Sequence, residues 1–577
     1  MRRVVCLLGV AAAAGVLGMA AQERPARPRA GSARPAFSVI EASISDLQKA
    51  LLDRRVTSRE LVQQYLLRIA TYEDKLNAII TVNPRALAEA EERDRERAAG
   101  RVRGPLHGIP IALKDNIHTT DMPTTGGALA FDGFVPPFEA TVTRRLRDAG
   151  AIIIAKTVLT ELANWVASGM PANYSALAGY GMNPYDPRRD PREATFDGRP
   201  AMSTGGSSSG IGTAASFWAA NIGTETSGSI LSPANQNMLA AIKPTVGRVS
   251  RYGIIPITAD QDTAGPMART VADVAIVLGA LEQGNPDPND AATSRCPPPA
   301  GFDYAPHLKP DGLKGARIGI PRAFFYDRVA VPGSDQPRGG LNPEQAKVMA
   351  EAIAVLKEHG ATVVDPADIP SVVSEDPAQN FLTWGICSGT EDAKGKDEDC
   401  SVILKYGMKR DFNAWLDSLG PSAPVKSLAE LRKWNEAHQK AGAIKYAQAN
   451  LDISDDMDVE ADRPRWQADR ANDILLAATN GIDAALKTHQ LDALLIPGAS
   501  GSALAARPGY PTVMVPFGFV PNVPFGQAAP FPPGFNAKPQ PYGVSFTGTA
   551  CSEPRLLELA YAFEQATRRR VPPPGLP

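Results

Sequence analysis

The chain has 577 residues, of which 44% are hydrophobic and 21% are charged. Its 60 Lys and Arg residues nearly balance its 62 Asp and Glu residues, and the net charge at pH 7 is −2. This composition excludes a largely disordered chain and gives no sign of a basic surface for nucleic acid. We therefore expect a globular protein with small-molecule partners, and the sequence leaves its oligomeric state open.

The N-terminus predicts export. Two arginines precede an apolar run over residues 4–16, and small residues follow at positions 18 and 20. This pattern is typical of a signal peptide, so we expect residues 1–20 to be cleaved and residues 21–36, rich in Arg, Pro and Ala, to form a disordered leader. The predicted location is secreted or periplasmic. The alternative is an uncleaved membrane anchor, because residues 4–21 carry no charge over 18 positions.

The next segment predicts helices. Apolar residues recur at helical spacing over residues 47–52 and 58–72. Thr57, followed three positions later by Glu60, has the capping-box pattern of a helix start. Residues 86–99 are charged and rich in Ala, which indicates a solvent-facing helix.

Two short apolar runs, residues 109–113 and 151–155, are typical of strands buried on both faces of a sheet. Strands of this type alternating with helices indicate an α/β fold. Lys114 follows the first run directly, so we expect it at a buried strand end.

Two glycine-rich turns carry serines. Residues 205–210 read Gly-Gly-Ser-Ser-Ser-Gly, and residues 222–230 read Ile-Gly-Thr-Glu-Thr-Ser-Gly-Ser-Ile. The apolar segment between them predicts one helix. Together with Lys114 they supply a lysine, a bridging serine (Ser207) and a nucleophilic serine (Ser229), which are the parts of a hydrolase without histidine.

These motifs resemble those of the amidase signature family, and further blocks at residues 103–108, 242–247 and 261–269 match in the same order. The resemblance runs from about residue 57 to the C-terminus. Residues 409–416 and 428–431 look more like the peptide amidase branch than the tRNA amidotransferase branch.

The resemblance implies an amidase-signature fold, in which helices cover both faces of a mixed, mostly parallel central sheet. It implies one catalytic domain over residues 37–577, with a variable substrate-binding insertion at about residues 286–483. No metal or organic cofactor is implied.

The implied activity is hydrolysis of carboxamides or short peptide amides through an acyl-serine intermediate. Ser229 is then the nucleophile, and Ser207, expected after a cis peptide bond, relays protons to Lys114. Burial disfavours a charged amine and lowers its pKa, which makes a lysine usable as a base. The implied oxyanion hole consists of the backbone N–H groups of Thr226, Ser227, Gly228 and Ser229, with Gly206 and Ser208 in support.

Two other functions stay open. Residues 206–210 also fit the G-x-S-x-G turn of an α/β-hydrolase-type serine esterase, with Ser208 as the nucleophile. Such a turn requires a strand directly before it, and the segment of residues 200–204 is too short and too polar to form one. The downstream candidates for its base lack a supporting pattern: His307, His359, His438 and His489.

The second alternative is a non-catalytic, amide-binding family member. Ser207 and Ser229 are 22 positions apart, two fewer than is usual in the family. The helix between them must therefore be shorter, or its exit turn must be rebuilt.

The C-terminal half predicts strands at residues 316–320 and 491–497 and helices at residues 343–359, 428–447 and 552–569. Residues 521–541, rich in Pro, Gly and Phe, are either a loop at the pocket mouth or a mobile flap.

Cys6 lies in the predicted signal peptide, which leaves Cys296, Cys387, Cys400 and Cys551. Four cysteines allow three connectivities. Sequence proximity favours a Cys387–Cys400 pair, and no Cys/His spacing suggests a metal site.

Overall fold

A computed structural model describes residues 37–192, 197–389, 398–523 and 529–577. Ser38–Pro577 form one compact unit. The predicted signal peptide and leader, residues 1–36, lie outside the described residues.

The described residues contain a central sheet of eleven strands. In chain order these are β1 Ile79–Val82, β2 Pro110–Lys114, β3 Ile152–Thr157, β4 Ala220–Glu225, β5 Ala240–Lys243, β6 Thr263–Ala268, β7 Arg317–Gly319, β8 Thr362–Val364, β9 Ala493–Pro497, β10 Thr512–Val520 and β11 Gln540–Thr547. Their order across the sheet is β1-β3-β2-β4-β6-β5-β10-β11-β9-β7-β8. The expected mixed α/β sheet is confirmed: β3, β2 and β4 pair in parallel on one flank and β9, β7 and β8 on the other, with antiparallel neighbours between them.

One pairing positions the site. Strands β2 and β4 are parallel, with Ile111 opposite Ala220 and Leu113 opposite Ile222. Their carboxyl ends therefore meet at the same edge of the sheet. Lys114 is the last residue of β2, and Glu225 is the last residue of β4. The loop that follows Glu225 therefore begins beside Lys114.

The described helices are α1 Ile44–Leu52, α2 Ser58–Leu76, α3 Ala86–Ala98, α4 Thr141–Asp148, α5 Ile211–Ala214, α6 Leu231–Gln236, α7 Val271–Glu282, α8 Pro343–Glu358, α9 Pro370–Val373, α10 Ile403–Ser418, α11 Leu428–Ala437, α12 Ala449–Asp455, α13 Arg463–Ile474, α14 Asp483–His489, α15 Ser502–Ala506 and α16 Glu553–Thr567. A π-helical segment, Leu475–Ile482, joins α13 to α14. The predicted capping box is confirmed, because the Thr57 side chain accepts from the Glu60 N–H while the Glu60 carboxylate accepts from the Thr57 N–H. Helices α7 and α16 pack on the centre of the sheet and on each other.

Two helices are shorter than the sequence pattern indicates. The helix predicted over residues 428–447 ends at Ala437, because a 3-10 turn follows and Gly442 adopts a φ of +106°. The helix between the two serine turns is the four-residue α5, and Ser216 leaves it with a φ of +55°.

The region predicted as an insertion also contributes to the sheet through β7 and β8. Its helices α10 and α11 build a buried cluster with Phe131 and Trp165. The excursion between β10 and β11 closes an antiparallel hairpin. Within its described part, Phe531 and Phe535 stack under the guanidinium groups of Arg192 and Arg188.

Two disulfides join the four remaining cysteines. Cys387 pairs with Cys400 as predicted, and Cys296 pairs with Cys551 across 255 positions of sequence. In the ranges that the structure describes, no helix combines the length and apolar character needed to cross a bilayer.

Candidate active site

Lys114 is fully buried at the end of β2. Its Nζ donates to Ser207 Oγ at 2.9 Å, to Thr224 Oγ1 at 2.8 Å and to the Thr224 carbonyl at 3.3 Å. Burial lowers the pKa of this amine to about 7, although the negative charges of Asp262 and Glu225 partly oppose the shift. A substantial fraction of Lys114 is therefore neutral near pH 7 and able to accept a proton.

Thr224 is a site residue that the sequence reasoning did not identify. Its hydroxyl accepts from Lys114 and from Asn116 Nδ2 at 3.0 Å, which fixes the direction of the lysine. Asn116 also donates to the Ile255 carbonyl at 3.3 Å. The only available signal was the position of Thr224 inside the second glycine-rich motif, and its contact with Lys114 depends on the pairing of β2 with β4.

The first glycine turn places Ser207, which is buried, against the lysine. Gly205 makes the bend with a φ of +100°, and a Cβ there would lie 2.4 Å from Pro233 Cα. Asn173 Nδ2 clamps both sides of Ser207 by donating to the carbonyls of Gly206 at 2.9 Å and Ser208 at 3.1 Å.

The expected cis bond before Ser207 is not found. Within the described ranges, cis peptide bonds occur at Asn285–Pro286 and Asp365–Pro366. A cis bond before a residue other than proline costs about 3 kcal/mol, and Gly205 turns the chain here without one.

Ser229 lies in the loop after β4 and lines a cavity. Its backbone touches both neighbours of Ser207: the Ser208 N–H donates to the Ser229 carbonyl at 3.1 Å, and a Cβ on Gly206 would lie 2.8 Å from Ser229 Cα. Within the described residues, the Ser229 hydroxyl has no hydrogen-bond partner. The Ser229 hydroxyl is therefore available to a substrate, whereas the Ser207 hydroxyl already contacts Lys114.

The predicted oxyanion donors are unengaged. In the part of the chain that the structure covers, no protein acceptor takes a hydrogen bond from the backbone N–H groups of Thr226, Ser227, Gly228 or Ser229. Gly228 bends this loop with a φ of +90°. The next N–H groups, of Ile230 and Leu231, donate to Glu225 Oε2 at 2.6 and 2.9 Å. Glu225 thus occupies the start of α6 and leaves the free donors in the loop that carries Ser229, as an oxyanion hole requires.

Ser208 has a structural role. It is completely buried, and its hydroxyl donates to the Thr224 carbonyl at 2.9 Å and accepts from the Thr224 N–H at 3.1 Å. Among the described residues no strand leads into this turn, and no histidine hydrogen-bonds to Ser208. The esterase alternative therefore lacks an exposed nucleophile and a base.

The cavity at Ser229 has a volume of about 290 Å³. Trp165, Ile257 and Leu404 supply apolar walls, and Asn164 and Asn450 supply amides. This mixture suits a small ligand with an apolar part and a few hydrogen-bonding groups.

One wall of the cavity is a strained turn that the sequence reasoning also missed. Leu162, Ala163 and Asn164 have consecutive φ values of +43°, +57° and +73°, a region that residues other than glycine rarely adopt. The Leu162 N–H donates to the Gly126 carbonyl at 2.8 Å, and the neighbouring Glu161 carboxylate accepts from the Ala176 N–H at 2.7 Å. These contacts hold the turn against the site.

The described ranges contain no group of three or more His, Cys, Asp or Glu residues suited to a metal ion. His107 and His118 lie near the Lys114 strand in sequence. His118 is buried against Trp415, which donates to its Nε2 at 2.9 Å, and burial lowers the His118 pKa to about 3.

Comparison with known proteins gives matches over most of the chain. Residues 60–557 match the profile of the Amidase family. The native peptide amidase from Stenotrophomonas maltophilia is 38% identical, with 92% of this chain and 98% of that chain covered and a TM-score of 0.76. An amidase family protein from Bacillus anthracis is 30% identical, with 93% of this chain and 92% of that chain covered and a TM-score of 0.74. A protein named as a probable amidase in Arabidopsis thaliana is 34% identical over 544 residues, which cover 93% of this chain and 92% of its own length. The chain belongs to the amidase signature family and is an enzyme that hydrolyses amide C–N bonds.

Proposed function

We propose that this enzyme hydrolyses carboxamides of small acyl groups and short peptide amides, with Ser229 as the nucleophile and Lys114 as the base acting through Ser207. The observation that carries the proposal is the buried Lys114 amine, 2.9 Å from Ser207 Oγ and with its pKa lowered to about 7, in the turn that touches the Ser229 backbone.

The acylation step follows from these contacts. Neutral Lys114 takes the Ser207 proton as Ser207 takes the proton of Ser229, whose oxygen attacks the amide carbon. A hydroxyl can pass protons in both directions, because it both donates and accepts. The oxyanion that forms is stabilised by the free N–H groups of residues 226–229, and each such donor lowers the barrier by roughly 3 kcal/mol.

Collapse of the tetrahedral intermediate breaks the C–N bond. The proton returns from Lys114 through Ser207 to the leaving nitrogen, so that ammonia or a neutral amine departs. Water then attacks the acyl-Ser229 carbonyl while its proton passes through Ser207 to Lys114. The bond between the acyl carbon and the Ser229 oxygen then breaks, the carboxylic acid leaves, and the proton returns from Lys114 through Ser207 to the Ser229 oxygen.

The substrate class is supported by the peptide amidase at 38% identity and by a cavity of about 290 Å³ with apolar walls and side-chain amides. For location, we propose export to the periplasm or the exterior. The N-terminal sequence pattern and the two disulfides support this, because disulfides persist in oxidising compartments.

The test is a substrate panel with the purified protein and its Ser229→Ala variant. Peptide C-terminal amides, simple carboxamides, anilides and esters are incubated, and released amine and the intact protein mass are measured. We expect ammonia from peptide amides and an acyl adduct on the wild type alone. No amine release and no adduct with any compound would favour the non-catalytic alternative.

A further inference from the structure

The two residues directly before β6, Gln261 and Asp262, hydrogen-bond to the loop that carries the nucleophile. Gln261 Nε2 donates to the Thr226 carbonyl at 3.1 Å, and Asp262 Oδ1 accepts from Thr226 Oγ1 at 2.5 Å. Asp262 Oδ2 also accepts from the N–H groups of Ile257 and Thr258, at 2.8 and 3.0 Å. Thr226 is therefore held by both its peptide group and its side chain.

Strand pairing explains this contact. Glu225, the last residue of β4, lies opposite Thr263, the first residue of β6. Asp262 and Gln261 precede Thr263, so they lie beside the loop that begins at Thr226. Gln261 thus holds the peptide group that joins Thr226 to Ser227, whose N–H is one of the free donors, and Asp262 holds the Thr226 side chain.

The Asp262 carboxylate is also an electrostatic neighbour of Lys114. Neither side chain forms an ion pair within 4.0 Å among the described residues. Asp262 contributes the largest attraction that favours the ammonium form of Lys114, and Glu225 contributes the next. Burial raises the pKa of Asp262 to about 6, so its carboxylate is mostly ionised near pH 7, where Lys114 titrates. The other charges that act on these groups are Asp411 and Arg251 on Asp262 and Lys243 on Glu225.

We propose that Gln261 and Asp262 are positioning residues for amide hydrolysis: both fix Thr226 in the loop that carries Ser229, and Asp262 in addition favours the ammonium form of Lys114. The inference rests on the proposed function, in which Lys114 is the base. The positioning role and the electrostatic role can be tested separately, because Gln261 contacts Thr226 but carries no charge.

The test compares pH profiles of kcat/KM for a peptide amide. Asp262→Asn keeps the size of the side chain but removes the negative charge, so the ammonium form of Lys114 is less favoured. We expect a loss of about 10- to 100-fold in kcat/KM and a shift of the acidic limb to lower pH by about half a unit to one unit. Gln261→Leu, the matched uncharged control, should lower kcat/KM and leave the limb in place.

Thr226 gives an independent check that does not change a charge. Thr226→Ser retains the hydroxyl that Asp262 binds and should keep most of the activity, whereas Thr226→Val should lose it. Circular dichroism and thermal melting accompany each variant, so that a misfolded protein is recognised and the Thr226 pair then decides the positioning role.

An unshifted acidic limb in Asp262→Asn would overturn the electrostatic role. Equal activity of Thr226→Ser and Thr226→Val, together with wild-type activity of Gln261→Leu, would overturn the positioning role. Failure of the proposed function is distinguishable, because the wild type itself would then neither hydrolyse the amide nor form an acyl-Ser229 adduct.

Discussion

Lys114 Nζ lies 2.9 Å from Ser207 Oγ, and both side chains are buried. This contact exists because parallel pairing brings the ends of β2 and β4 to one edge of the sheet, where the first glycine turn also packs. A buried amine beside a hydroxyl is able to perform the proton transfer that many hydrolases assign to histidine.

Replacing Lys114 tests the base. Burial lowers its pKa to about 7, so the neutral base increases as pH rises through 7, and wild-type kcat/KM should rise over the same range. Lys114→Ala should reduce amide hydrolysis by roughly 10²- to 10⁴-fold, with a smaller loss for activated esters, whose leaving groups need no proton. Lys114→Arg should not restore activity, because a guanidinium stays protonated. Near wild-type amide turnover by Lys114→Arg would exclude the relay.

Replacing Gly206 tests the packing of the two serine turns. A Cβ at this position would lie 2.8 Å from both Ser229 Cα and the Gly228 carbonyl oxygen. These are backbone atoms, so Gly206→Ala must displace the nucleophile loop, and we expect kcat to fall at least about 10-fold because small misplacements of catalytic groups are costly.

Gly385→Ala is the matched control for that variant. A Cβ on Gly385 would have no atom within 4 Å, and the residue has no positive φ, so the change should leave kcat unaltered. Steady-state kinetics of both variants decide the matter, and full activity of Gly206→Ala would show that the turns are not in contact as described.

The parts of the site that lie within sequence motifs were predictable. Lys114 follows a buried apolar run, and Ser207 and Ser229 lie in glycine-rich turns whose spacing is local. Contacts that depend on strand register were not predictable from the sequence. The contact of Thr224 with Lys114 is one of them, so Thr224 was not identified.

Backbone conformation was harder to predict than residue position. The strained turn at residues 162–164 contains no glycine to mark its positive φ values, because tertiary contacts impose the conformation. The sequence pattern indicated a helix between the two serine turns but not that this helix has only four residues, and the absence of a cis bond before Ser207 was not foreseen.

Glu161 provides a test of stability against pH. Burial raises its pKa to about 7, although the Ala176 N–H favours the charged form. The folded state therefore holds a proton that the unfolded state releases above its ordinary pKa of about 4.3. The stability from this group is fully present below that pH and is lost as pH rises to about 7, at up to about 1.4 kcal/mol per pH unit.

Glu161→Gln removes this titration but keeps an acceptor for Ala176. Urea unfolding of both proteins between pH 5 and 7 should give a flatter dependence of the free energy of unfolding for Glu161→Gln than for the wild type. Identical slopes would mean that Glu161 is charged in the folded protein.

The two disulfides should contribute unequally to stability. Cys296–Cys551 closes a loop of 255 positions and Cys387–Cys400 one of 13. In the chain-entropy treatment, the longer loop removes more freedom from the unfolded chain, by roughly 2 to 3 kcal/mol. Double Ser variants of each pair, compared by urea unfolding under the same conditions, should show the larger loss for residues 296 and 551. A larger loss for residues 387 and 400 would contradict this ranking.

The identity of the nucleophile is tested most directly by labelling with a serine-reactive fluorophosphonate, followed by peptide mapping in the mass spectrometer. The wild type should carry the label on Ser229. Ser208→Ala should keep the label despite a loss of about 1 to 3 kcal/mol in stability from its broken buried hydrogen bonds, and Ser229→Ala should lose it. A label on Ser208, or labelling that survives Ser229→Ala and disappears in Ser208→Ala, would contradict the account.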